Sequence, residues 1–258
     1  MQDLIEEGKF KYIESNPESQ ETLLLLHGLF GALSNFGSII DHFGDKLNVV
    51  VPILPIYEMP FRQVGLGGLL DYINEFVEYK GYSNVHVLGN SLGGHISLLY
   101  VLSQQQNVAS MTLAGSSGLF ENAFGSTFPK RGNYEFIREK TAATFYDPKM
   151  ATKELVDEVF DIVNDRNKAL RVVVTAKSAI RHNVETQLKD IKIPVLLVWG
   201  KNDNVTPAFV GEKFHELLPN SRLFMLDKCG HVPMMEHAEV FNQYLEDFLN
   251  EVATEKIT

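Results

Sequence analysis

A serine between two glycines is the strongest chemical signal in this chain. The apolar run V-H-V-L at 85–88 leads into G-N-S-L-G at 89–93, and an amphipathic stretch follows. A strand that passes through such a turn into a helix presents its serine at the tip of a strained bend, with the hydroxyl exposed. A serine hydroxyl is a weak nucleophile and needs a base and N–H donors beside it. The pattern therefore predicts Ser91 as a nucleophile with partners elsewhere in the chain.

The residues suited to activate this serine follow two later predicted strands. Asp203 ends the run W-G-K-N-D, and His231 ends the run C-G-H. The order Ser–Asp–His along the chain is that of a triad built from three strand ends at one edge of a parallel sheet. We predict that His231 takes the Ser91 proton and returns it to the leaving group, while Asp203 fixes the imidazole tautomer. Asp227 is the nearest alternative for the acid.

Two backbone N–H groups are expected to stabilise the oxyanion that forms when the serine attacks. One belongs to Leu92, the residue after the nucleophile. The other lies in the loop H-G-L-F-G at 27–31, where paired glycines let the backbone curl inward. We assign this second donor to Leu29, with Phe30 as the close alternative. His27 is expected to shape the loop rather than to act as the base.

No metal and no cofactor are predicted. None of the eight histidines is spaced with a cysteine or a carboxylate in the way that zinc sites require. The single cysteine, Cys229, lies close to His231 but lacks a tight turn of its own, so we interpret it as a small core residue.

Composition narrows the classes of function. The chain has 258 residues, of which 45% are hydrophobic and 22% charged, as is typical of globular proteins. Its formal net charge of −10 disfavours nucleic acid as a partner, so a small-molecule substrate is expected. One cysteine permits no intrachain disulfide, and neither a signal peptide nor a membrane-spanning run is visible. A cytoplasmic enzyme is the default expectation, and the oligomeric state stays open, with a homodimer as one option.

Short apolar runs rich in β-branched residues alternate with helical patterns along most of the chain. This alternation predicts an α/β fold with a mostly parallel central sheet and helices on both faces. Thr206 and Pro207 are expected to be the N-cap and first residue of a late helix. The predicted strands cover residues 9–14, 22–27, 47–54, 84–89, 109–114, 195–199 and 221–226.

The alternation breaks between residues 118 and 190. Only residues 171–175 have a strand-like composition there, and their surroundings favour a helix. We predict a helical lid over 118–190, inserted into a core formed by residues 1–117 and 191–258. Its aromatic side chains could line an apolar substrate pocket or form the lid's own core. These aromatics include Phe120, Phe124, Phe128, Phe136, Phe145, Tyr146 and Phe160.

Taken together, the motifs resemble those of the α/β-hydrolase superfamily over essentially the whole chain. The resemblance implies the α/β-hydrolase fold, a helical lid and a Ser–His–Asp triad formed by Ser91, His231 and Asp203. The motifs that carry it are H-G-L-F-G at 27–31, G-N-S-L-G-G at 89–94, W-G-K-N-D at 199–203 and C-G-H at 229–231.

Within that superfamily, some details are similar to the meta-cleavage-product hydrolases, which cleave carbon–carbon bonds. Asn90 before the nucleophile is one such detail. That group usually has an arginine in the lid helix, where this chain has Val159, and a tryptophan after the catalytic histidine, where it has Val232. The loop at 27–31 looks more like that of small esterases. We therefore assign Phe30, Asn90, Val159 and Val232 as candidate substrate-binding residues.

Three functions are compatible with this constellation. The favoured one is a serine carboxylesterase that cleaves small to medium, largely apolar esters through an acyl-enzyme, and thioesters would react in the same way. The second is a carbon–carbon bond hydrolase of vinylogous diketone acids, which would need Arg171 or Arg181 as a cationic anchor. The third is a ligand receptor on a hydrolase fold, against which the presence of all three triad residues argues.

Overall fold

A single sheet runs through the molecule. The computed structural model describes residues 3–31, 36–120 and 132–255, and Phe124 and Phe128 lie outside these ranges. The strands are β1 (Ile5–Glu7), β2 (Phe10–Glu14), β3 (Thr22–Leu26), β4 (Asn48–Pro52), β5 (Val85–Asn90), β6 (Val108–Ala114), β7 (Val195–Gly200) and β8 (Ser221–Leu226). Within the described residues these eight strands form one sheet in the order β1-β2-β4-β3-β5-β6-β7-β8.

The sheet is parallel except at one end. β1 pairs with β2 and β2 with β4 in antiparallel fashion, whereas every pair from β4 to β8 is parallel. The inner strands are continuous apolar runs because both of their faces are covered; β3 reads T-L-L-L-L and is buried at every residue. The sequence pattern does not predict β1, because its I-E-E sequence shows neither an apolar run nor an alternation long enough to detect.

Helices cover both faces of the sheet, as predicted. One face packs on α2, α3 and α7, and the other packs on α1 and α9. The helices are α1 (Gly37–Phe43), α2 (Leu66–Lys80), α3 (Leu92–Gln104), α4 (Tyr134–Ala142), α5 (Lys153–Asn164), α6 (Arg166–Arg181), α7 (Ala208–Leu217), α8 (Pro233–Glu236) and α9 (Ala238–Glu255).

The ambiguous residues 171–175 are helical and lie inside α6. The Asp165 side chain caps this helix by accepting the N–H groups of Asn167 and Lys168. Buried positions recur at three-to-four spacing, so the helical burial pattern outweighs the strand propensity of the local β-branched run. The buried residues are Val172, Thr175, Ala176 and Ala179.

Helix α7 begins one residue later than predicted. Pro207 is its N-cap residue and Ala208 its first helical residue. No side chain caps this helix, and the Thr206 hydroxyl donates a hydrogen bond to the Asp203 carboxylate at 2.8 Å. The prediction of Thr206 as the N-cap is therefore wrong, and its hydroxyl bonds instead to a carboxylate three residues earlier.

The described residues contain neither a membrane-spanning helix nor a cluster of metal-ligating side chains. None of the described helices combines the length and apolar character that a bilayer crossing requires. No group of three or more histidine, cysteine, aspartate or glutamate side chains in the described ranges is arranged to hold a metal ion.

A buried ion pair stabilises the edge of the sheet opposite to the carboxyl ends of its parallel strands. Glu14, with 7% of its side chain exposed, accepts Lys80 Nζ at 2.9 Å. It also accepts the Tyr82 hydroxyl at 2.5 Å and the Asn48 amide at 3.0 Å. Burial by itself raises the pKa of Glu14, but the hydrogen bonds from Tyr82, Lys80 and Asn48 outweigh it and hold the pKa below its usual value.

Replacement of Glu14 by glutamine is therefore expected to lower the free energy of unfolding at pH 7 by about 2 kcal/mol, since hydrogen bonds to a charged group are lost. A lowered carboxyl pKa contributes stability above the unfolded value of about 4.5 and loses it as the pH falls through the folded value. Urea titrations at pH 7 and pH 3.5 should thus show a difference between variant and parent that shrinks in acid. Glu251→Gln, at an exposed pair with Arg222, is the control and should change little. A pH-independent Glu14→Gln effect would contradict this account.

Candidate active site

Ser91 lies at the sharp turn between β5 and α3. Its φ of 55° and ψ of −119° are unusual for a residue other than glycine and mark a strained backbone. The Ser91 N–H donates to the carbonyl of Ala114 at 3.2 Å, and its own carbonyl accepts the N–H of Ser117 at 3.1 Å. The end of β6 thus holds the bend in place, and the strained geometry is the one that the glycine spacing predicts.

Asp203 and His231 form a buried pair at the carboxyl edge of the sheet. His231 Nδ1 lies 2.8 Å from Asp203 Oδ2, and their side chains are 6% and 0% exposed. Asp203 Oδ1 accepts the N–H groups of Val205 at 2.8 Å and Thr206 at 2.9 Å. Because a carboxylate oxygen only accepts, Nδ1 of His231 carries the proton, and the neutral ring then offers the Nε2 lone pair as a base.

The hydroxyl of Thr206 contacts the Asp203–His231 pair, and sequence reasoning did not predict this contact. It donates to Asp203 Oδ2 at 2.8 Å and lies 3.3 Å from His231 Nδ1. It therefore fixes the carboxylate oxygen that faces the imidazole. The spacing Asp203-x-x-Thr206 is a local signal for this contact, because a side chain three residues on can turn back to a carboxylate in a tight loop.

Asp227, the alternative acid, is directed elsewhere. Its side chain is 80% exposed and pairs with Lys201 at 2.8 Å. The structure therefore brings Asp203, and not Asp227, to His231.

Asn90 connects the serine turn to the histidine loop through the backbone. Its side-chain amide donates to the carbonyl of Ala114 at 2.9 Å and to the carbonyl of His231 at 3.2 Å. The residue is 1% exposed. Both amide hydrogens thus hold the loops of Ser91 and His231 together, and the contact of Asn90 with substrate stays a prediction.

His27 shapes the loop that follows β3. The backbone N–H of Leu54 donates to His27 Nε2 at 3.0 Å, so Nδ1 carries the ring proton and donates to the Gly28 carbonyl at 2.8 Å. Burial lowers the pKa of His27 to about 4, so the ring is neutral near pH 7. In a trans peptide the C=O and the next N–H point in opposite directions, so the N–H of Leu29 is directed away from His27.

A second side chain, Tyr57, holds the next peptide of the same loop. Its hydroxyl donates to the Leu29 carbonyl at 2.5 Å, which directs the N–H of Phe30 away from Tyr57. A Cβ atom built on Gly28 would lie only 3.3 Å from Ser91 Cβ, so this loop lies directly beside the serine. Tyr57 was not among the predicted site residues, because nothing local to the sequence links it to a loop 28 residues earlier.

Leu92, the first residue of α3, has a backbone N–H without an acceptor in its own helix, as do all residues of a first helical turn. Leu92 directly follows Ser91. Leu29 and Phe30 directly follow Gly28, whose backbone lies against the Ser91 side chain. The two predicted donor segments are therefore both adjacent to the nucleophile.

The two valines predicted to bind substrate, Val159 and Val232, lie in different parts of the molecule. Val159 lies on α5 and is partly exposed. Val232 is 4% exposed and belongs to the core cluster that also contains Phe145 and Cys229. The side chain of Val232 thus packs in the core, and the contacts of both valines with substrate stay predictions.

Neither arginine considered as a cationic anchor is free and buried: Arg171 binds other groups of the chain, and Arg181 is exposed. Arg171 donates from Nε to the carbonyl of Met59 at 3.0 Å, and its guanidinium lies 4.1 Å from the Phe61 ring centroid. Arg181 is an exposed residue at the end of α6.

A carboxylate, by contrast, lies near the serine loop. Burial raises the pKa of Tyr57, and the negative charge of Glu158, an exposed residue of α5, raises it further. Desolvation also raises the pKa of Glu158 itself. Glu158 therefore contributes a negative charge near Tyr57.

Cys229 is a buried core residue, as predicted. Burial raises the pKa of its thiol, and the charges of Glu236 and Asp203 raise it further. A thiol in this environment is a poor nucleophile.

Comparison with known proteins agrees with this geometry. The family described as alpha/beta hydrolase fold matches residues 21–238. A solved alpha/beta hydrolase enzyme from the metagenome of sediments of the Mar Chica lagoon in Morocco is 43% identical, with a TM-score of 0.79, covering 96% of this chain and 98% of that one.

Two curated relatives carry different names. A 2-hydroxy-6-oxononadienedioate/2-hydroxy-6-oxononatrienedioate hydrolase of Paraburkholderia phymatum is 29% identical over 254 residues, covering 90% of this chain and 88% of that protein. Lipase 3 of a Moraxella species is 29% identical over 249 residues, covering 88% and 77%. The sheet, its helices and the family match lead to one conclusion: the chain belongs to the alpha/beta hydrolase fold family and is a hydrolase.

Proposed function

We propose that the chain is a serine hydrolase that cleaves small to medium, neutral carboxylic esters. The observation that carries this proposal is the buried Asp203–His231 pair at 2.8 Å, whose histidine loop is joined through Asn90 to the turn of a serine with φ of 55°. In the proposed reaction His231 Nε2 removes the Ser91 proton as Oγ attacks the ester carbonyl. Asp203 stabilises the imidazolium that results.

The remaining steps use the backbone donors beside the serine. The tetrahedral oxyanion accepts the N–H of Leu92 and that of Leu29, with Phe30 as the alternative second donor. His231 then protonates the departing alcohol, which leaves an acyl group on Ser91. Water, activated by the same imidazole, hydrolyses this acyl-enzyme and restores the hydroxyl.

The preference for a neutral ester is supported by the charges around the site. A substrate carboxylate loses hydration on binding and needs a cation in return. Arg171 is engaged by the Met59 carbonyl and Phe61, and Glu158 adds a negative charge near Tyr57. These observations support the ester reaction over hydrolysis of a vinylogous diketone acid, although relatives of both kinds exist.

Helices α4 to α6 fit the proposed lid over 118–190. They lie between β6 and β7 in sequence, and residues 143–147 contact the loops that carry Asp203 and His231. A segment in that position can cover the carboxyl edge of the sheet, where Ser91 lies. Apolar side chains on these helices would favour an apolar acyl or alcohol group by about 0.8 kcal/mol per buried methylene.

The substrate preference tests this proposal. We expect kcat/KM for p-nitrophenyl esters to rise over the first few acyl carbons, and to exceed that for a 2-hydroxy-6-oxo-dienoate by at least about tenfold, because the acid has no cation partner. Steady-state assays with both substrate types measure the ratio. A tenfold preference for the dienoate would contradict the proposal and favour the carbon–carbon hydrolase.

Glu158 offers a variant for the same comparison. Glu158→Gln should raise kcat/KM for the carboxylated substrate severalfold and leave that for p-nitrophenyl butyrate nearly unchanged, because one repulsive charge is removed. Glu154→Gln is the matched control, because Glu154 is an exposed glutamate on the same helix whose charge does not act on Tyr57. Equal effects of the two substitutions would show that Glu158 has no special place near the substrate.

A further inference from the structure

The carboxylate of Glu236 lies between two backbone segments that are far apart in sequence. Its Oε1 accepts the N–H of Gly230 at 2.7 Å. Its Oε2 accepts the N–H of Tyr146 at 2.7 Å and that of Asp147 at 3.4 Å. Gly230 directly precedes His231, and Tyr146 follows helix α4. One side chain therefore holds three backbone donors, from the histidine loop and from the helical segment between β6 and β7.

Direct contacts also join the loop of Gly230 and His231 to residues 144–147; we call this contact region the junction. The N–H of His231 donates to the carbonyl of Thr144 at 2.8 Å. A Cβ atom on Gly230 would lie 2.5 Å from that carbonyl oxygen, so only glycine permits the two backbones to come so close. Phe145, 6% exposed, packs in one core cluster with Cys229. The junction is thus formed by backbone hydrogen bonds and by a buried aromatic anchor.

The loop that carries Asp203 also contacts the chain segment that follows helix α4. The side-chain amide of Asn204, the residue after Asp203, lies 3.4 Å from the carbonyl of Ala143. Residues 143–147 therefore contact both loops from which the Asp203–His231 pair is built.

We propose that Glu236 is a positioning residue that couples the helical segment between β6 and β7 to His231. The inference rests on the proposed role of His231 as the general base. Each carboxylate oxygen faces donors from one segment, so Glu236 keeps the segments at a fixed separation. A shift of residues 144–147 is thereby transmitted to Gly230 and to the imidazole that follows it. Small displacements of a general base lower kcat, because proton transfer requires close alignment.

The chemistry of the side chain makes the proposal specific. A glutamine at 236 has one acceptor oxygen and one NH2 donor, so it can serve one segment but must place its NH2 group against the N–H of the other. An alanine at 236 has no side-chain acceptor and can bind the N–H groups of neither segment. The expected order of coupling is glutamate, then glutamine, then alanine.

Amide hydrogen exchange, followed by NMR on the full chain, tests the coupling without any substrate. In Glu236→Ala the N–H of His231, which Glu236 does not touch, should exchange about tenfold faster because the junction opens. Glu236→Gln should give a smaller increase. The N–H of Val87 in β5 reports global opening and should not change. Unaltered exchange at His231 in both variants would overturn the proposal, since Glu236 would then act only on its own donors.

Kinetics supply the second readout. Glu236→Ala should lower kcat for p-nitrophenyl butyrate by about tenfold with KM within about twofold, as expected for a displaced base. Glu239→Ala, an exposed position in the first turn of α9, is the control and should retain parental kcat. A rise in KM alone would contradict a positioning role. If the chain cleaved no ester at all, the proposed function would fail while the exchange result still stood, so the two failures are distinguishable.

Discussion

Replacement of Ser91 by alanine is expected to lower kcat for p-nitrophenyl esters by at least about 10³-fold, because the proposed triad loses its nucleophile. The fold should be unaffected. The backbone of residue 91 is held by hydrogen bonds to Ala114 and Ser117, which do not involve its hydroxyl. Steady-state kinetics with matched circular dichroism melts measure both outcomes.

Ser103→Ala is a suitable control for this experiment. Ser103 lies in α3, the helix that follows Ser91, and its hydroxyl donates to the Tyr100 carbonyl of that helix. It should leave kcat close to the parental value. Near-parental esterase activity in purified Ser91→Ala would refute the assignment of Ser91 as nucleophile.

Replacement of Asp203 by asparagine is expected to lower kcat by about 10²-fold or more, although by less than the loss of Ser91. The structure gives the reason. The N–H groups of Val205 and Thr206 both donate to Oδ1, so the asparagine oxygen must occupy that position. The NH2 group then faces His231 Nδ1 and donates to it. The neutral imidazole is thereby held with its proton on Nε2, where it cannot accept the proton of Ser91.

Asp227→Asn is the matched control for Asp203→Asn. Asp227 is an exposed aspartate paired with Lys201, so its amide should leave kcat unchanged. A large loss in Asp227→Asn, together with parental activity in Asp203→Asn, would move the acid to Asp227 and contradict the observed pairing.

The elements that position the serine could be predicted because their signals are local. Glycine spacing indicates the turn at Ser91, and apolar runs followed by polar loops locate the strand ends near Asp203 and His231. Alternating apolar strands and amphipathic helices predict the mostly parallel sheet, which the structure confirms. In each case a short stretch of sequence determines the backbone, and the parallel order brings the strand ends together.

The groups that hold the site in place could not be predicted in the same way. Tyr57 reaches Leu29 across 28 residues, and Glu236 reaches Tyr146 across 90. Such partners depend on how loops approach each other, and no periodicity records that approach. Asn90 and Val232 were assigned from a resemblance to relatives, but local contacts decide their positions: an amide bound by two carbonyls and a valine in the core.

Covalent modification by an alkyl fluorophosphonate, which reacts with serines that an adjacent base activates, tests the role of Ser91 most directly. Intact-protein mass spectrometry and peptide mapping of the treated chain give the stoichiometry and the position. We expect one phosphonyl group per chain, on Ser91, with no labelling of Ser91→Ala and much slower labelling of His231→Ala. Modification of a different residue, or equally fast labelling after His231→Ala, would contradict it.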